Sequence, residues 1–302
     1  LTADKKRPAV HTYNATLNSF TKFSGGQGTE EMLVTDVFTA GKLKEYEAWL
    51  RSRNASWNTV STYMRVLKAV YNRLVEAKRL TYDARLFDSV YTKVEAQSKR
   101  SLTEEQMNTL LRTDFEKLPE DVQNVLAYFL LMFLFRGMPF IDMAYLRKQD
   151  LKEHCITYCR HKTGKKMVVR IPHEATALFE KCRNKKTDSG YLFPILDETT
   201  ENEKKLYENY RQALRTFNRK LAKMAALLLP GTNISSYTAR HTWATLAFYS
   251  GIPIGIISKA LGHSSIKVTE TYLKPFENEK VDAANDELIM SVVKRSKEKI
   301  VA

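Results

Sequence analysis

Two stretches near the C-terminal end carry residue types suited to chemistry on a phosphate. The first is SSYTARHTWATLAFYSG, residues 235–251. It reads as a helix capped by Ser235 or Ser236 and ended by Gly251, with Trp243, Leu246, Ala247 and Tyr249 available for burial. Tyr237 stands three residues before Arg240 and four before His241, so the three side chains point broadly the same way. The helix macrodipole disfavours an arginine near a helix N-terminus. An incoming anion would explain it, because helix N-termini and guanidinium groups both suit phosphate. The second stretch is ALGHSSIKVTETYLK, residues 260–274, with His263 just past a Leu-Gly pair and Tyr272 nine residues later. Taken singly, His263 is a capping or packing histidine and Tyr272 a half-buried aromatic. Taken as chemistry, a phenol with a free pKa of ~10 is a weak nucleophile that needs help from its surroundings. Its attack on a phosphodiester builds charge on the non-bridging oxygens, and fixed cations stabilise that charge without a metal.

A third candidate is HCITYCRH, residues 154–161, with two His and two Cys. On a strand, Cys155 and Cys159 share a face but lie about 13 Å apart at ~3.3 Å per residue. A zinc ion holds sulfur at ~2.3 Å, so both cannot reach one ion. The spacing also matches no zinc ribbon, and a metal site is set aside.

Several elements must position these residues. PIGIISKAL, with Pro253 at its start and Gly262 at its stop, reads as a helix before His263. Ser264 or Ser265 then caps a helix over IKVTETYLK, with Tyr272 near its end. ITYCRH and MVVRIP read as two basic strands joined by KTGKK, with Gly164 at the tip of the turn. The apolar run VLAYFLLMFLF, 125–135, reads as a central buried helix; it is well short of the ~18 residues a membrane span needs. LTEEQ at 102–106 opens a helix with Thr103 as N-cap and Gln106 at the third position. Residues 206–229 hold Leu206, Tyr210, Leu214, Phe217, Leu221, Met224 and Leu228 in helical phase, and Pro230-Gly231 ends that helix.

Residues 9–95 also read as helices. DVFTAGKLKEYEAWLR, 36–51, spaces Val37, Leu43, Tyr46 and Leu50 on one face. The segment 58–79 puts Val60, Tyr63, Met64, Leu67, Tyr71, Leu74 and Val75 in one stripe, with Arg65 and Lys68 off it. These last two are either a solvated face or phosphate contacts. AQSKRS, 96–101, reads as a linker. The expected organisation is a helical domain over 1–97 and a second domain over 98–302, mainly α with a small β-hairpin or sheet.

The 302 residues allow two cores, and a formal charge of +14 favours a polyanionic partner such as nucleic acid or an anionic membrane surface. Three cysteines make no disulfide framework, so a reducing, cytoplasmic setting is expected. LTADKKRPAV lacks the apolar core of a signal peptide.

In their order and spacing, a basic hairpin with KTG, a helix with ARH, LGH, then Tyr272, the residues resemble the tyrosine recombinase (phage integrase) family. The resemblance covers nearly the whole chain, and LGHSSIKVTETYL is its most specific part. FRGMPFIDMAYL, 135–146, and the closing motifs look most like integrases of mobile elements in the Bacteroides group. The resemblance implies an N-terminal helical core-binding (SAM-like) domain and an α+β catalytic domain. It implies a site-specific recombinase that integrates, excises or inverts double-stranded DNA as a homo-tetramer, with no cofactor and no membrane partner. Tyr272 would form a 3′-phosphotyrosyl link, Arg240 and His263 would hold the phosphate oxygens, and Lys162 would protonate the 5′-hydroxyl. Lys165 and Lys166 of the hairpin, with Arg65 and Lys68, would contact DNA.

Two positions depart from the family pattern. The family's G-L-R-x-x-E arginine is Pro139 here, and Arg136, about one helical turn earlier, is the expected replacement. The usual histidine or lysine three residues before the second arginine is Tyr237. His241 is expected to brace its helix rather than touch substrate. Competing readings are a non-enzymatic helical DNA-binding accessory protein and a type IB topoisomerase. Leu288, Ile289, Val292 and Val293, within 283–302, form a short apolar face that either packs in the core or docks on a neighbouring protomer.

Overall fold

In the computed structural model, the described residues are 7–25, 33–94, 101–197, 202–273, 281–282 and 284–290. The chain divides into two compact units, residues 1–97 and 98–302. The described residues are mostly helical, with one three-stranded antiparallel sheet among them.

The first unit contains α1 (Arg7–Phe23), α2 (Val34–Val37), α3 (Ala40–Ser52) and α4 (Trp57–Glu76). Its core is Phe20, Leu43, Tyr46, Leu50, Met64 and Tyr71, drawn from the apolar faces of α1, α3 and α4. The helix expected over 36–51 is two helices. Thr39 is extended, and its side chain accepts from the Lys42 amide at 3.2 Å, so the cap starts a new helix there. The stripe expected over 58–79 stops at Glu76, because Lys78 is left-handed (φ 55°). Val60, Met64, Leu67 and Tyr71 are buried, while Tyr63, Leu74 and Val75 are half-buried. Arg65 and Lys68 are exposed on the opposite face. Arg65 Nε donates to the Ser61 carbonyl at 3.4 Å, and the Lys68 ammonium lies 5.6 Å over the Phe87 ring.

The second unit is built around α6 (Glu120–Leu134), the apolar helix of the sequence. It packs against α5 (Glu104–Leu111), α8 (Thr176–Cys182), α9 (Glu203–Leu228) and α10 (Thr238–Tyr249). α5 begins with the Thr103–Gln106 capping box that its sequence announces. α7 (Phe140–Tyr145), α11 (Ile254–Leu261) and α12 (Ile266–Glu270) complete the helices that carry the site. Among the described residues no helix is long and apolar enough to cross a membrane.

The sheet runs β1 (Leu151–Lys152), β2 (Cys155–Cys159), β3 (Lys166–Arg170), in that order. Glu153 and His154, with φ of 47° and 61°, make the two-residue β1–β2 turn, the positive-φ geometry that matches strand twist. Ile156 pairs with Val169 and Cys159 with Lys166. The strands are therefore shorter than the sequence suggests, and Arg160 and His161 lie beyond β2. The Arg160 amide donates to the Lys165 carbonyl at 2.9 Å, and the Gly164 amide returns to the Arg160 carbonyl at 2.8 Å. Gly164 takes a φ of 66° at that turn. Leaving the strand at Arg160 frees its side chain to turn inward, with consequences for the site.

Candidate active site

α10 starts at Thr238, a residue or two later than a cap at Ser235 or Ser236 would set it. Ser235–Tyr237 form a turn, the N-cap position is Tyr237, and no side chain caps it. Instead Thr238 Oγ1 accepts from the Ser235 amide at 3.0 Å, and Asn218 of α9 accepts from the Ser236 amide at 2.8 Å. The buried face of α10 is small or polar: Thr238, Ala239, Thr242, Ala244, Thr245 and Ala247, with Arg240 among them. Trp243, Leu246 and Tyr249 are half-buried. The small side chains let α10 approach α6 closely and leave Arg240, 2 % exposed, anchored in the interior.

Arg240 is held by backbone carbonyls. Nη1 donates to Gly137 at 2.9 Å, and Nη2 donates to Leu261 and faces His263 Nε2 at 3.0 Å. Its Nε is buried without a partner among the described residues. Burial, then the Arg160 charge, press its pKa below the usual value, offset by Tyr272 and Tyr237. A buried, unsatisfied guanidinium donor is costly unless something arrives to accept from it.

Gly137 makes this anchoring possible. It has φ 66°, and a Cβ there would sit 2.9 Å from the Arg240 Cα. Gly262 does the same on the other side. As the left-handed C-cap of α11 (φ 67°) it passes so near the hairpin that a Cβ would meet Met167 Sδ at 2.7 Å and Arg160 Cδ at 2.8 Å.

His263 follows immediately and is 7 % exposed. Nδ1 lies 2.9 Å from Thr269 Oγ1 of α12. Arginine has only donors, so Nε2 must accept, and the ring hydrogen resides on Nδ1. Burial, and then the charges of Arg240, Arg160, Lys162 and Lys165, push the His263 pKa down to about 4. The imidazole is therefore neutral at physiological pH.

α12 ends at Glu270, so Tyr272 lies just past the helix rather than within it. Thr269 of that helix is fully buried and ties it to His263. Tyr272 is half-buried, and its ring is 4.7 Å from both His263 and His241. The Arg240 guanidinium lies 5.6 Å from the same ring. Its hydroxyl is 2.8 Å from the Tyr237 hydroxyl. His241, expected only to brace its helix, stacks on Tyr272 at 28° between planes and also touches Tyr237.

The hairpin contributes differently from expectation. Lys162 is exposed at the turn, near enough for its charge to act on His263. Lys165 Nζ donates to the His263 carbonyl at 3.1 Å, while Lys166 is exposed on β3.

Arg136 is not one helical turn from Pro139. α6 has already ended, Arg136 is left-handed (φ 58°), and its guanidinium reaches the Val168 carbonyl at 3.3 Å. The guanidinium beside Arg240 belongs to Arg160. It is buried, with Nε 3.2 Å from Asp142 Oδ2 and Nη1 2.8 Å from the Leu261 carbonyl, the oxygen Arg240 also uses. Asp142 Oδ1 in turn accepts from the His161 amide at 2.9 Å. Sequence reasoning passed over Arg160, yet a signal existed. Asp142 closes the G-L-R-x-x-E pattern without its arginine, and a buried acid needs a cation from elsewhere.

The sequence pattern of the phage integrase family matches residues 100–279, and its SAM-like domain matches residues 2–85. The chain belongs to the phage integrase family. Among curated relatives of this integrase, the tyrosine recombinase XerA of Pyrococcus furiosus is 26 % identical over 78 % of this chain and 76 % of its own length. The tyrosine recombinase XerC of Roseiflexus is 25 % identical, covering 89 % and 85 %. Transposase B of transposon Tn554 from Staphylococcus aureus is 28 % identical, and this chain spans 38 % of it. In fold, the integrase resembles the transposon Tn1549 integrase solved with a circular intermediate DNA (TM-score 0.61, 17 % identity, 91 % and 93 % coverage). It also resembles a lambda integrase tetramer bound to a Holliday junction (TM-score 0.62, 14 % identity, 89 % and 72 % coverage).

Proposed function

We propose that this integrase cuts and rejoins double-stranded DNA at specific sites through a 3′-phosphotyrosyl intermediate on Tyr272. The observation that carries the reading is the meeting of one phenol with a buried arginine pair and a neutral histidine. A phosphodiester laid against Tyr272 would lie close to the Arg240 guanidinium, which is 5.6 Å from that ring and has one donor, Nε, still unsatisfied among the described residues. Arg160, rather than Arg136, supplies the second guanidinium. Its support is its shared carbonyl with Arg240 and its buried partner Asp142.

His263, with Nε2 accepting from Arg240 and Nδ1 donating to Thr269, orients that guanidinium. Lys162, at the end of a flexible side chain on the hairpin turn, protonates the departing 5′ oxygen. The phosphotyrosyl ester keeps the energy of the broken bond, so a second 5′-hydroxyl can reseal the strand. No external energy source enters this scheme.

The charge of +14 suits a phosphate backbone, and Arg65, Lys68 and Lys166 are exposed to meet one. A homo-tetramer on two DNA sites is the assembly proposed, since the lambda integrase of similar fold forms one on a Holliday junction. Leu288 and Ile289 are 62 % and 51 % exposed, which favours docking on a neighbouring protomer over core packing; Val292 and Val293 lie outside the described residues.

The test is incubation with duplex DNA carrying candidate repeats, in EDTA, followed by a denaturing gel. A covalent protein–DNA band that disappears in Tyr272→Phe supports the reading. Salt-dependent binding without any adduct would return the chain to the accessory DNA-binding reading, and supercoil relaxation without joining of two sites would make it a topoisomerase.

A further inference from the structure

The family pattern gives no role to a tyrosine three residues before Arg240, where a histidine or lysine is usual. The structure does. Tyr237 and Tyr272 come from different elements, 35 residues apart, yet their hydroxyls lie 2.8 Å apart, a well-formed hydrogen bond between phenols. Their rings are 6.1 Å apart, and His241 contacts both, at 5.4 Å from Tyr237 and 4.7 Å from Tyr272. The pair is thus clamped by a third ring.

We propose that Tyr237 works on the nucleophile rather than on the phosphate: it donates its phenolic hydrogen to the Tyr272 oxygen and stabilises negative charge there. The inference rests on the reading above that Tyr272 attacks the DNA. One hydrogen bond joins the two oxygens, and chemistry decides its direction. The attacking oxygen must shed its own proton, so the lasting donor has to be the partner. Tyr237 is 42 % exposed, and the partial desolvation of its phenol, then the bond to Tyr272, push its pKa up to about 12, which keeps that donor protonated. The Arg240 guanidinium, 5.6 Å from the Tyr272 ring, favours charge on the same phenol.

Tyr272 loses its proton to solvent, its oxygen bonds to phosphorus, and the bond from phosphorus to the 5′ oxygen breaks. Lys162 gives that oxygen a proton. Tyr237 keeps its hydrogen throughout. Once Tyr272 is an ester its oxygen accepts weakly, so the bond from Tyr237 loosens. In resealing, the departing phenolate regains it. Tyr237 therefore speeds cleavage and resealing alike.

The experiment measures single-turnover cleavage of a nicked duplex against pH, for the wild type and Tyr237→Phe. Loss of a hydrogen bond to a charged oxygen slows cleavage by roughly 10- to 100-fold. It also moves the rising limb of the pH profile to higher pH, because the phenolate has lost its donor. A duplex with a 5′-bridging sulfur, whose leaving group needs no proton, distinguishes the two ends of the reaction. It rescues Lys162→Ala and leaves the Tyr237→Phe defect in place.

A second probe, 3-fluorotyrosine at position 237, is a stronger donor of nearly the same shape and shifts the limb to lower pH. It keeps the test decisive if the phenylalanine variant folds poorly. Unchanged cleavage in Tyr237→Phe, rescue of that variant by sulfur, or a limb unmoved by fluorination would overturn the proposal. So would an adduct in Tyr272→Phe that maps to Tyr237, which would make it a nucleophile itself. If the wild type forms no adduct at all, the recombinase reading fails, whatever Tyr237 does.

Discussion

Replacing Arg160 by alanine should damage this integrase twice, and the two losses can be separated. Arg160 and Asp142 form an ion pair whose side chains are 6 % and 0 % exposed. Removing one partner of such a pair strands the other charge and costs about 3–5 kcal/mol of folding stability. Arg160→Ala should therefore melt early as well as cleave poorly. Adding Asp142→Asn removes the stranded carboxylate while keeping an oxygen for the His161 amide, now at 2.9 Å. The double variant should regain most of the lost stability, because a buried pair removed as a whole is often close to neutral. Cleavage should not return. If Arg160 stabilises charge on the phosphate oxygens, its loss costs on the order of 100-fold or more, the scale of one preorganised donor. Denaturant melts and covalent adduct formation on a nicked site, run on the single and double variants, make the comparison. A double variant that is stable and cleaves like the wild type would refute the assignment and leave Arg160 a structural partner of Asp142.

Arg136→Ala should leave cleavage within a few-fold of the wild type, because its head group is spent on the Val168 carbonyl rather than beside Arg240; loss of adduct formation would restore Arg136 as the missing guanidinium. Gly262→Ala should cost about 1–2 kcal/mol from its left-handed backbone alone, and the contacts at 2.7 and 2.8 Å add to that and push Arg160 away, which melting and cleavage assays would register. His263 is depressed to about 4 from an ordinary 6.5, so its contribution to stability is complete above pH 6.5 and is lost as pH falls towards 4. The difference in unfolding free energy between wild type and His263→Gln should shrink by on the order of 2–3 kcal/mol across that window, and parallel pH curves would contradict a neutral buried imidazole. Deleting 287–302 should weaken tetramer formation on DNA, and native gels showing intact tetramers would end the docking idea.

Elements with a local cause were legible in the sequence. The Thr103–Gln106 capping box, the Pro253 start and Gly262 stop of α11, and the apolar α6 all appear where their residues say they should. What escaped was set by partners distant in sequence. The start of α10 at Thr238 depends on Asn218 from α9. The break between α2 and α3 turns on Thr39, a cap hidden within an apolar pattern that continues across it. His241 looked like a brace because nothing on its own helix shows that Tyr272 will stack on it.

The exchange of Pro139 for an arginine shows why part of such a site is readable and part is not. Stabilising charge on a phosphate oxygen requires a cation at a point in space, and the backbone that delivers it is unconstrained. Pro139 stands at the start of α7 and offers no charge, but Asp142, one turn later, still points into the core and is fully buried. A buried carboxylate without a cation would cost several kcal/mol. It therefore constrains the fold to bring one, and the residue just past β2 is the one that arrives, since the strand releases it at Arg160. The same carboxylate accepts from the His161 amide, so it fixes the direction in which the chain leaves the strand. Asp142 thus acts as the positioning group for a guanidinium that enters from another element, and the Leu261 carbonyl shared with Arg240 sets how near the two cations come. On this argument Asp142→Ala, which removes the anchor but leaves both arginines in the chain, should impair cleavage while Arg240 stays tied to Gly137 and Leu261. Normal cleavage in a well-folded Asp142→Ala protein would show that Arg160 is placed by something else.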